Sequence, residues 1–315
     1  MSEGKYVIGA DLGGTTCKLG VFTADGEVKE KWQIKTNSAD NGSWILPDIA
    51  EAVDKKLEAL GIEKKAVEGI GIGIPGAVLP DGVVNRCVNL GWGVVPVESE
   101  LSKLTGLKVK AGNDANVAAL GEYWKGGGEG FSSVVMVTLG TGIGGGIIIG
   151  GRMLVGYNGA GGEIGHIVVN PDEPEACGCG NHGCIEQYAS ATGIVRLAKQ
   201  ELVSSKADSI LREDKGVLTA KDVFDAAKKG DALALSVTTK VGSYLGHTLA
   251  VIANIINPEA FLLGGGVSKA GPILLDEVHA TFERDAFHAC KNTKILLAKL
   301  GNDAGIYGAA KLVIG

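Results

Sequence analysis

Twice in this chain a short apolar run ends in a glycine turn and is followed at once by another apolar run. Tyr6–Asp11 leads through Gly13-Gly14-Thr15 to Lys18–Phe22, and Val134–Thr138 leads through Gly140-Thr141-Gly142 to Gly146–Ile149. Short runs joined in this way read as consecutive strands. The likeness of Asp11-Leu12-Gly13-Gly14-Thr15 to Thr138-Leu139-Gly140-Thr141-Gly142 predicts two domains of related design with a cleft between them. Glycine supplies 50 of the 315 residues, against a usual ~7%. It clusters beside the apolar runs, where a backbone turns sharply or approaches a ligand. The domain boundary is expected near residues 120–130, where Lys125-Gly126-Gly127-Gly128 reads as a linker.

The remaining pattern is mixed α/β. Glu27–Ile34, Val67–Ile74, Lys108–Ala111 and Ala260–Leu263 read as strands. Ile45, Ile49, Val53, Leu57 and Leu60 recur at helical spacing before Gly61, a C-terminal cap. Ala191–Leu202 and Ala220–Lys229 read as helices, and Asp231 caps a long helix that stops at Asn257-Pro258. Further helices start near Pro272 and Asp303, and Ser204–Lys215 reads as a polar, mobile loop.

Composition excludes several partners. The net charge is −6 with no basic stripe, so nucleic acid is not expected as a partner. Met1–Tyr6 lacks the cationic and apolar pattern of a leader. Leu245–Ile256 is interrupted by His247, Thr248 and Asn254 and is too short to span a bilayer, so it reads as a buried helix. A cytoplasmic location follows as the expectation, with no membrane partner. In a reducing compartment Cys17, Cys87, Cys177, Cys179, Cys184 and Cys290 are not a disulfide framework. For the same reason Asn41-Gly42-Ser43 carries no glycosylation meaning.

The glycine turns suit phosphate, because successive amides in a tight turn form an anion-binding nest. Gly13-Gly14-Thr15-Thr16 and Gly140-Thr141-Gly142-Ile143-Gly144 both qualify, with threonine hydroxyls as extra donors. Lys18 can neutralise phosphate charge, and Asp11 can hold a hydrated Mg²⁺. The dinucleotide fingerprint G-x-G-x-x-G occurs at Gly140–Gly145 and Gly71–Gly76. It requires strand, turn and helix, whereas Ile147-Ile148-Ile149 after the first is strand-like and Pro75 follows within the second.

Cys177-Gly178-Cys179-Gly180-Asn181-His182-Gly183-Cys184 places three thiols in C-x-C-x4-C spacing, which points to a structural zinc with four ligands. By spacing alone the fourth ligand is either His182 or His166. Asn113-Asp114 follows a short strand at a helix start, where a carboxylate either caps the helix or takes the proton of an attacking hydroxyl. Glu163 and Glu186, read alone, are a surface acid and a helix cap.

Taken together these residues resemble the ROK family of bacterial sugar kinases and repressors, and within it the glucokinases. Gly165-His166 is followed, after ten residues, by Cys177-x-Cys179-Gly180-x-x-Gly183-Cys184-x-Glu186. In the family's order stand also Asp11–Thr15, Gly73-Ile74-Pro75-Gly76, Asn89-Leu90-Gly91-Trp92, Asn113-Asp114, Gly140–Gly146 and Gly264-Gly265-Gly266-Val267. The resemblance runs from about Tyr6 to the C-terminal helix. It implies a ribonuclease-H-like, actin-like ATPase fold of two α/β domains flanking a cleft. Residues 1–123 with 303–315 would form the smaller domain, and 124–302 the larger one with the zinc loop. It implies ATP-dependent phosphorylation of a hexose, glucose first, at the 6-hydroxyl.

The site residues follow from the same resemblance. Asp114 is the implied base. Gly76, Asn89, Asn113, Asp114, Glu163, His166 and Glu186 are implied around the sugar. Asp11, Gly13, Gly14, Thr15, Thr16, Lys18, Gly140, Thr141, Gly142, Gly264, Gly265 and Gly266 are implied around ATP. Zinc is implied on His166, Cys177, Cys179 and Cys184, with one imidazole nitrogen on the metal and the other facing the sugar, and Mg²⁺ on Asp11. A homodimer or homotetramer is the implied assembly.

Three other readings compete. A kinase for N-acetylmannosamine, N-acetylglucosamine, fructose or allose differs only in a few polar contacts. A sugar-sensing repressor of the family would carry an N-terminal DNA-binding domain, for which the ten residues before Asp11 leave no room. A structural actin-like ATPase would not need the zinc loop.

Overall fold

The computed structural model describes residues 5–213 and 216–315. The leader-free reading of Met1–Tyr6 and the loop reading of Ser204–Lys215 therefore fall partly outside the described residues. The chain packs as two units: residues up to Ser132 with Gly146–Gly162 and Lys299–Gly315, and Ser133–Gly145 with Glu163–Ala298. Elements are numbered in chain order.

The first unit is built on a sheet of β1 (Tyr6–Leu12), β2 (Thr16–Thr23), β3 (Val28–Lys35), β4 (Val67–Ile74) and β7 (Val109–Asn113), in the order β3-β2-β1-β4-β7. β1, β2 and β3 run antiparallel, while β4 and β7 run parallel to β1. A two-stranded ladder, β5 (Val83–Val84) with β6 (Val95–Pro96), stands apart. The helices are α1 (Ala39–Gly42, a single turn), α2 (Ile45–Ala59), α3 (Val97–Thr105), α4 (Asp114–Lys125) and α10 (Ala304–Ile314). Ile45, Ile49, Val53 and Leu57 of α2 lie on one stripe and are buried against Ile8, Leu19, Ile70 and Ile72. Each fully buried aliphatic side chain contributes about 1.5–3 kcal/mol. The stripe ends where Gly61 takes φ +64°, the predicted cap.

On the other side α10 lies against the backbone itself. A Cβ at Gly9 would sit 1.9 Å from the Ile306 carbonyl oxygen, at Gly71 1.7 Å from that of Ala309, and at Gly308 1.6 Å from that of Val117. These glycines are a seam where α10 approaches the strands, and α4 at Gly308, too closely for any side chain. Val7, Phe22, Ile306, Ala310 and Val313 form the small core beside it.

The second sheet has the order β10-β9-β8-β11-β12, from β8 (Val134–Leu139), β9 (Ile143–Ile149), β10 (Arg152–Met153), β11 (Ala260–Gly264) and β12 (Lys294–Leu297). β9 begins in the second unit and ends in the first. β10 pairs antiparallel with β9, while β8 and β12 both run parallel to β11. The order repeats that of the first sheet, so the doubling read from the two glycine turns extends to the topology. The helices are α5 (Glu186–Ala189), α6 (Ala191–Ser204), α7 (Ala220–Lys228), α8 (Ala232–Ile256) and α9 (Pro272–Asp285). Asp231 caps α8 by accepting the Ala234 amide, and Asn257 at φ +49° ends it. Val237, Val241, Leu245 and Leu249 are buried, as their spacing predicts. Among the described residues no helix is long and apolar enough to cross a membrane.

The division differs from the expected one. Gly126–Gly128 is not a free linker. The Glu122 carbonyl accepts the Gly126 and Gly128 amides at 3.0 and 2.9 Å, and its carboxylate accepts the Gly127 amide at 2.8 Å. That carboxylate also accepts the amides of Lys299 (2.9 Å) and Leu300 (2.6 Å). Both segments thus stay with the first unit, and Asn116 holds Gly161 to it through Nδ2 at 3.1 Å. Ser204–Lys215 also departs from a plain loop. Ile210–Arg212 forms a 3-10 turn, with the Ile210 amide on Asp231 at 2.6 Å and Arg212 on the carbonyls of Leu202 and Ala207.

Candidate active site

Three adjacent parallel strands of the first unit end in register. Asp11 of β1 pairs with Gly73 of β4, and Ile74 of β4 pairs with Asn113 of β7. Carboxyl ends of parallel strands are where α/β sheets collect ligand-binding groups. Here they bring Asp11, Gly76 and Asn113-Asp114 to one edge. The Asn113 side chain accepts the Asn116 amide as the cap of α4, at 3.1 Å, and donates to the Gly76 carbonyl at 3.1 Å. Capping therefore falls to Asn113, and Asp114 becomes the first residue of the helix. The Gly13 amide donates to the Thr16 carbonyl, and Thr36 holds the same turn through the Gly13 and Thr15 carbonyls. Asn89 lies in the 3-10 turn Val88–Leu90, and a Cβ on Gly14 would lie 3.6 Å from its carbonyl.

Asp11 and Lys18 face each other across the β1–β2 ladder. Burial pushes the Asp11 carboxyl above the usual carboxylate range, while the Lys18 charge opposes the rise. The Lys18 ammonium donates to the Asn302 carbonyl at 3.0 Å. Gly305, at the start of α10, has no room for a Cβ because the Asp11 carboxyl lies 2.5–2.8 Å from where it would be.

In the second unit the two remaining glycine turns also share an edge. Thr138 of β8 pairs with Gly264 of β11. Gly265, at φ +84°, packs against Leu139 so closely that a Cβ would lie 2.4 Å from its carbonyl. Beside them opens a cavity of about 570 Å³ lined by Gly140, Thr141, Phe224, Gly266, Val267 and Lys269 among others. The Gly140–Gly145 look-alike runs straight into β9, so no helix follows the turn. Gly71 and Gly73 lie inside β4.

The cysteine loop closes on itself through a tight turn. The Cys177 amide donates to the Asn181 carbonyl and the Gly180 amide to that of Cys177. The Val169 amide reaches the Gly183 carbonyl and the Ile185 amide that of Ile167, both at 2.8 Å. This pairing folds His166 back onto Cys184. One ligand atom from each of His166, Cys177, Cys179 and Cys184 then lies within 4.8 Å of the others. His166 Nδ1 is 3.9 Å from Cys177 Sγ, and the sulfurs of Cys179 and Cys184 are 3.7 Å apart. Zinc–sulfur bonds of about 2.3 Å in a tetrahedron give sulfur–sulfur edges of about 3.8 Å, so the donors fit that ion. His182 is turned away, with Nδ1 3.0 Å from the Glu173 carbonyl.

His166 presents its other nitrogen, Nε2, 4.0 Å from Glu163 Oε2, and the Glu163 side chain is half exposed. Glu186 faces two ways. Oε1 lies 3.8 Å from Cys177 Sγ, and Oε2 accepts the Ile143 amide at 2.8 Å.

A clamp that the sequence did not announce holds the loop from behind. Buried Glu173 meets Arg196 through both carboxylate oxygens, at 3.0 and 2.9 Å, and accepts the Tyr188 hydroxyl at 2.5 Å. Arg196 and Tyr188 hold the carboxyl down at about 2, against burial that raises it. A depressed carboxyl stabilises the fold above its unfolded value and loses that contribution as pH falls through its folded value. Glu173→Gln is therefore expected to cost about 2 kcal/mol at pH 7, below the full shift because Arg196 is partly solvated. The gap between the two proteins in urea midpoint should shrink to about half by pH 3. A gap independent of pH would assign the loss to packing.

The profile of the ROK family matches residues 7–315. The glucokinase of Halalkalibacterium halodurans is 46% identical over 313 residues, 98% of this chain and 95% of that protein. A crystal structure of a ROK family glucokinase from Streptomyces griseus in complex with glucose and AMPPNP is 37% identical, covers 98% of both chains and superposes with a TM-score of 0.77. The ROK hexokinase of Thermus thermophilus is 31% identical over 98% of this chain and 97% of its own, with a TM-score of 0.83. Two units of one strand order, matched along the whole chain to ROK sugar kinases, give the expected actin-like ATPase fold. This chain belongs to the ROK family.

Proposed function

We propose that this protein is an ATP-dependent glucokinase that transfers the γ-phosphoryl group of ATP to the 6-hydroxyl of glucose. The observation that carries the reading is likeness over the whole length to glucokinases, one of them seen with glucose and a nucleotide analogue. The strand-end geometry supports the division of labour. Asp114 accepts the proton of the 6-hydroxyl as its oxygen attacks. Asn113, Gly76 and Asn89 belong to the sugar side in the first unit, and Glu163, His166 and Glu186 in the second. The turns at Gly13–Thr16, Gly140–Gly142 and Gly264–Gly266 belong to the nucleotide.

Phosphoryl transfer asks mainly for positioning and charge stabilisation. Mg²⁺, when bound with ATP, supplies charge neutralisation at the phosphates, and Asp11 is the carboxylate to meet it. His166, Cys177, Cys179 and Cys184 would hold a structural zinc, which would fix the imidazole nitrogen that remains for the sugar. Three sulfurs and one nitrogen would leave no ligand position for water.

The test is ADP release from Mg-ATP with glucose, mannose, fructose, N-acetylglucosamine and N-acetylmannosamine in turn, on protein whose zinc content is measured. Strong turnover on glucose is expected. Preference for an N-acetyl sugar would move the specificity and keep the mechanism. No turnover with zinc present would overturn the kinase reading.

A further inference from the structure

The turn Gly140–Gly142 is gripped from one side by a single short segment that begins two residues after Cys184. The Ala191 amide donates to the Gly140 carbonyl at 2.8 Å. Thr192 Oγ1 donates to the Thr141 carbonyl at 2.8 Å. Glu186 Oε2 accepts the Ile143 amide at 2.8 Å. The grip is close enough that a Cβ on Gly142 would lie 2.3 Å from Glu186 Oε2. The segment is itself held rigid. Ser190 caps α6 by accepting the Gly193 amide, donates to the Glu186 carbonyl at 2.6 Å and lies 3.0 Å from Thr192 Oγ1.

Peptide geometry turns this grip into an orientation. The described chain has no cis peptide, and in a trans peptide C=O and N–H point in opposite directions. Holding the Gly140 carbonyl toward Ala191 therefore aims the Thr141 amide away from the segment. Holding the Thr141 carbonyl toward Thr192 does the same for the Gly142 amide. Two successive amides aimed to one side make the concave donor pair that binds an anion. The first carbonyl is held by backbone, but the second depends on one hydroxyl.

We infer that Thr192 is a positioning residue for the triphosphate: its hydroxyl sets the Thr141–Gly142 peptide and thereby the affinity of the turn for nucleotide. The inference rests on the reading of Gly140–Gly142 as a nucleotide turn. Thr192 acts through the Thr141 carbonyl that it holds. Because the same segment continues from Cys184 through Glu186, the zinc loop and the nucleotide turn share one support.

The test compares Thr192→Val, which keeps the shape and removes the hydroxyl, with Thr192→Ser, which keeps the hydroxyl. Binding of AMPPNP and of glucose is measured by calorimetry, metal content by elemental analysis, and amide protection of residues 139–144 by hydrogen exchange with and without AMPPNP. One lost hydrogen bond at the turn predicts about tenfold weaker nucleotide binding in Thr192→Val. Glucose affinity, zinc content and melting temperature should be unchanged, and Thr192→Ser should bind nucleotide as the wild type does. Wild-type nucleotide affinity in Thr192→Val, or equal loss for both ligands with a lowered melting temperature, would overturn the inference. So would failure of Thr192→Ser to restore binding. Absence of nucleotide-dependent protection at 139–144 in the wild type would instead overturn the nucleotide turn itself.

Discussion

Asp114→Asn is expected to lower kcat by about 10²–10⁴-fold, the range a positioned general base contributes, while glucose affinity changes only a few-fold. The expectation follows from how the helix start divides its tasks. Asn113 supplies the capping oxygen and the bond to Gly76, so replacing Asp114 by an amide leaves the cap and the sheet edge standing. The substitution keeps shape and removes the carboxylate proposed to take the proton. Steady-state kinetics together with direct glucose binding separate the two effects. Near-normal kcat would remove Asp114 from the role of base, and an equal loss of binding would make it a substrate ligand only.

Glu122→Ala is expected to cost about 4 kcal/mol of stability. The side chain is fully buried near the end of α4, and its carboxylate accepts three backbone amides, from Gly127, Lys299 and Leu300. Each buried donor left without a partner costs about 1–3 kcal/mol, and water entering the vacated space recovers part of it. Glu122→Gln keeps one acceptor oxygen and should lose about half as much. Urea unfolding followed by a probe in the first unit reads the difference. A loss below about 1 kcal/mol would mean that solvent already satisfies those amides. Its partners lie just before the chain first leaves the first unit, after Ser132, and where it last returns, at Lys299, so the same variant loosens the first and last of the four crossings.

Local chemistry was readable in the sequence where a single residue decides the outcome. Pro75 ends β4, Gly61 closes α2, and Asp231 caps α8. Each sits where its backbone preference requires. The paired strand–glycine–strand units were readable because both sheets repeat one order. The cysteine loop was readable from thiol density, but the histidine that joins its cluster was not readable from spacing. His166 comes into place only because residues 167–169 pair with 183–185, a contact between segments. The same limit explains the linker. Lys125-Gly126-Gly127-Gly128 has the composition of a hinge, yet what restrains it is a carboxylate shared with amides 177 and 178 residues away. Thr192 carried no signal at all. A threonine two residues past a helix cap is ordinary, and its partner is a carbonyl 51 residues earlier. Arg196, Tyr188 and Glu173 were likewise silent, since a buried ion pair is defined by who surrounds it.

The seam between α10 and the first sheet bears on the order in which the protein can be made. Val7 and Phe22 are covered by Ile306, Ala310 and Val313, and Gly9 and Gly71 are shaped to receive the backbone of the same helix. During synthesis the strands emerge first and their covering helix comes after everything else described here. The whole of the second unit, a nearly unbroken stretch of chain, can complete its core in the interval. The first sheet must wait with one face open, and its final step is the docking of a helix almost three hundred residues downstream. Such a closure is slow for reasons of chain entropy alone. A ribosome paused near the end of the message would thus hold a finished second half beside an unfinished first one.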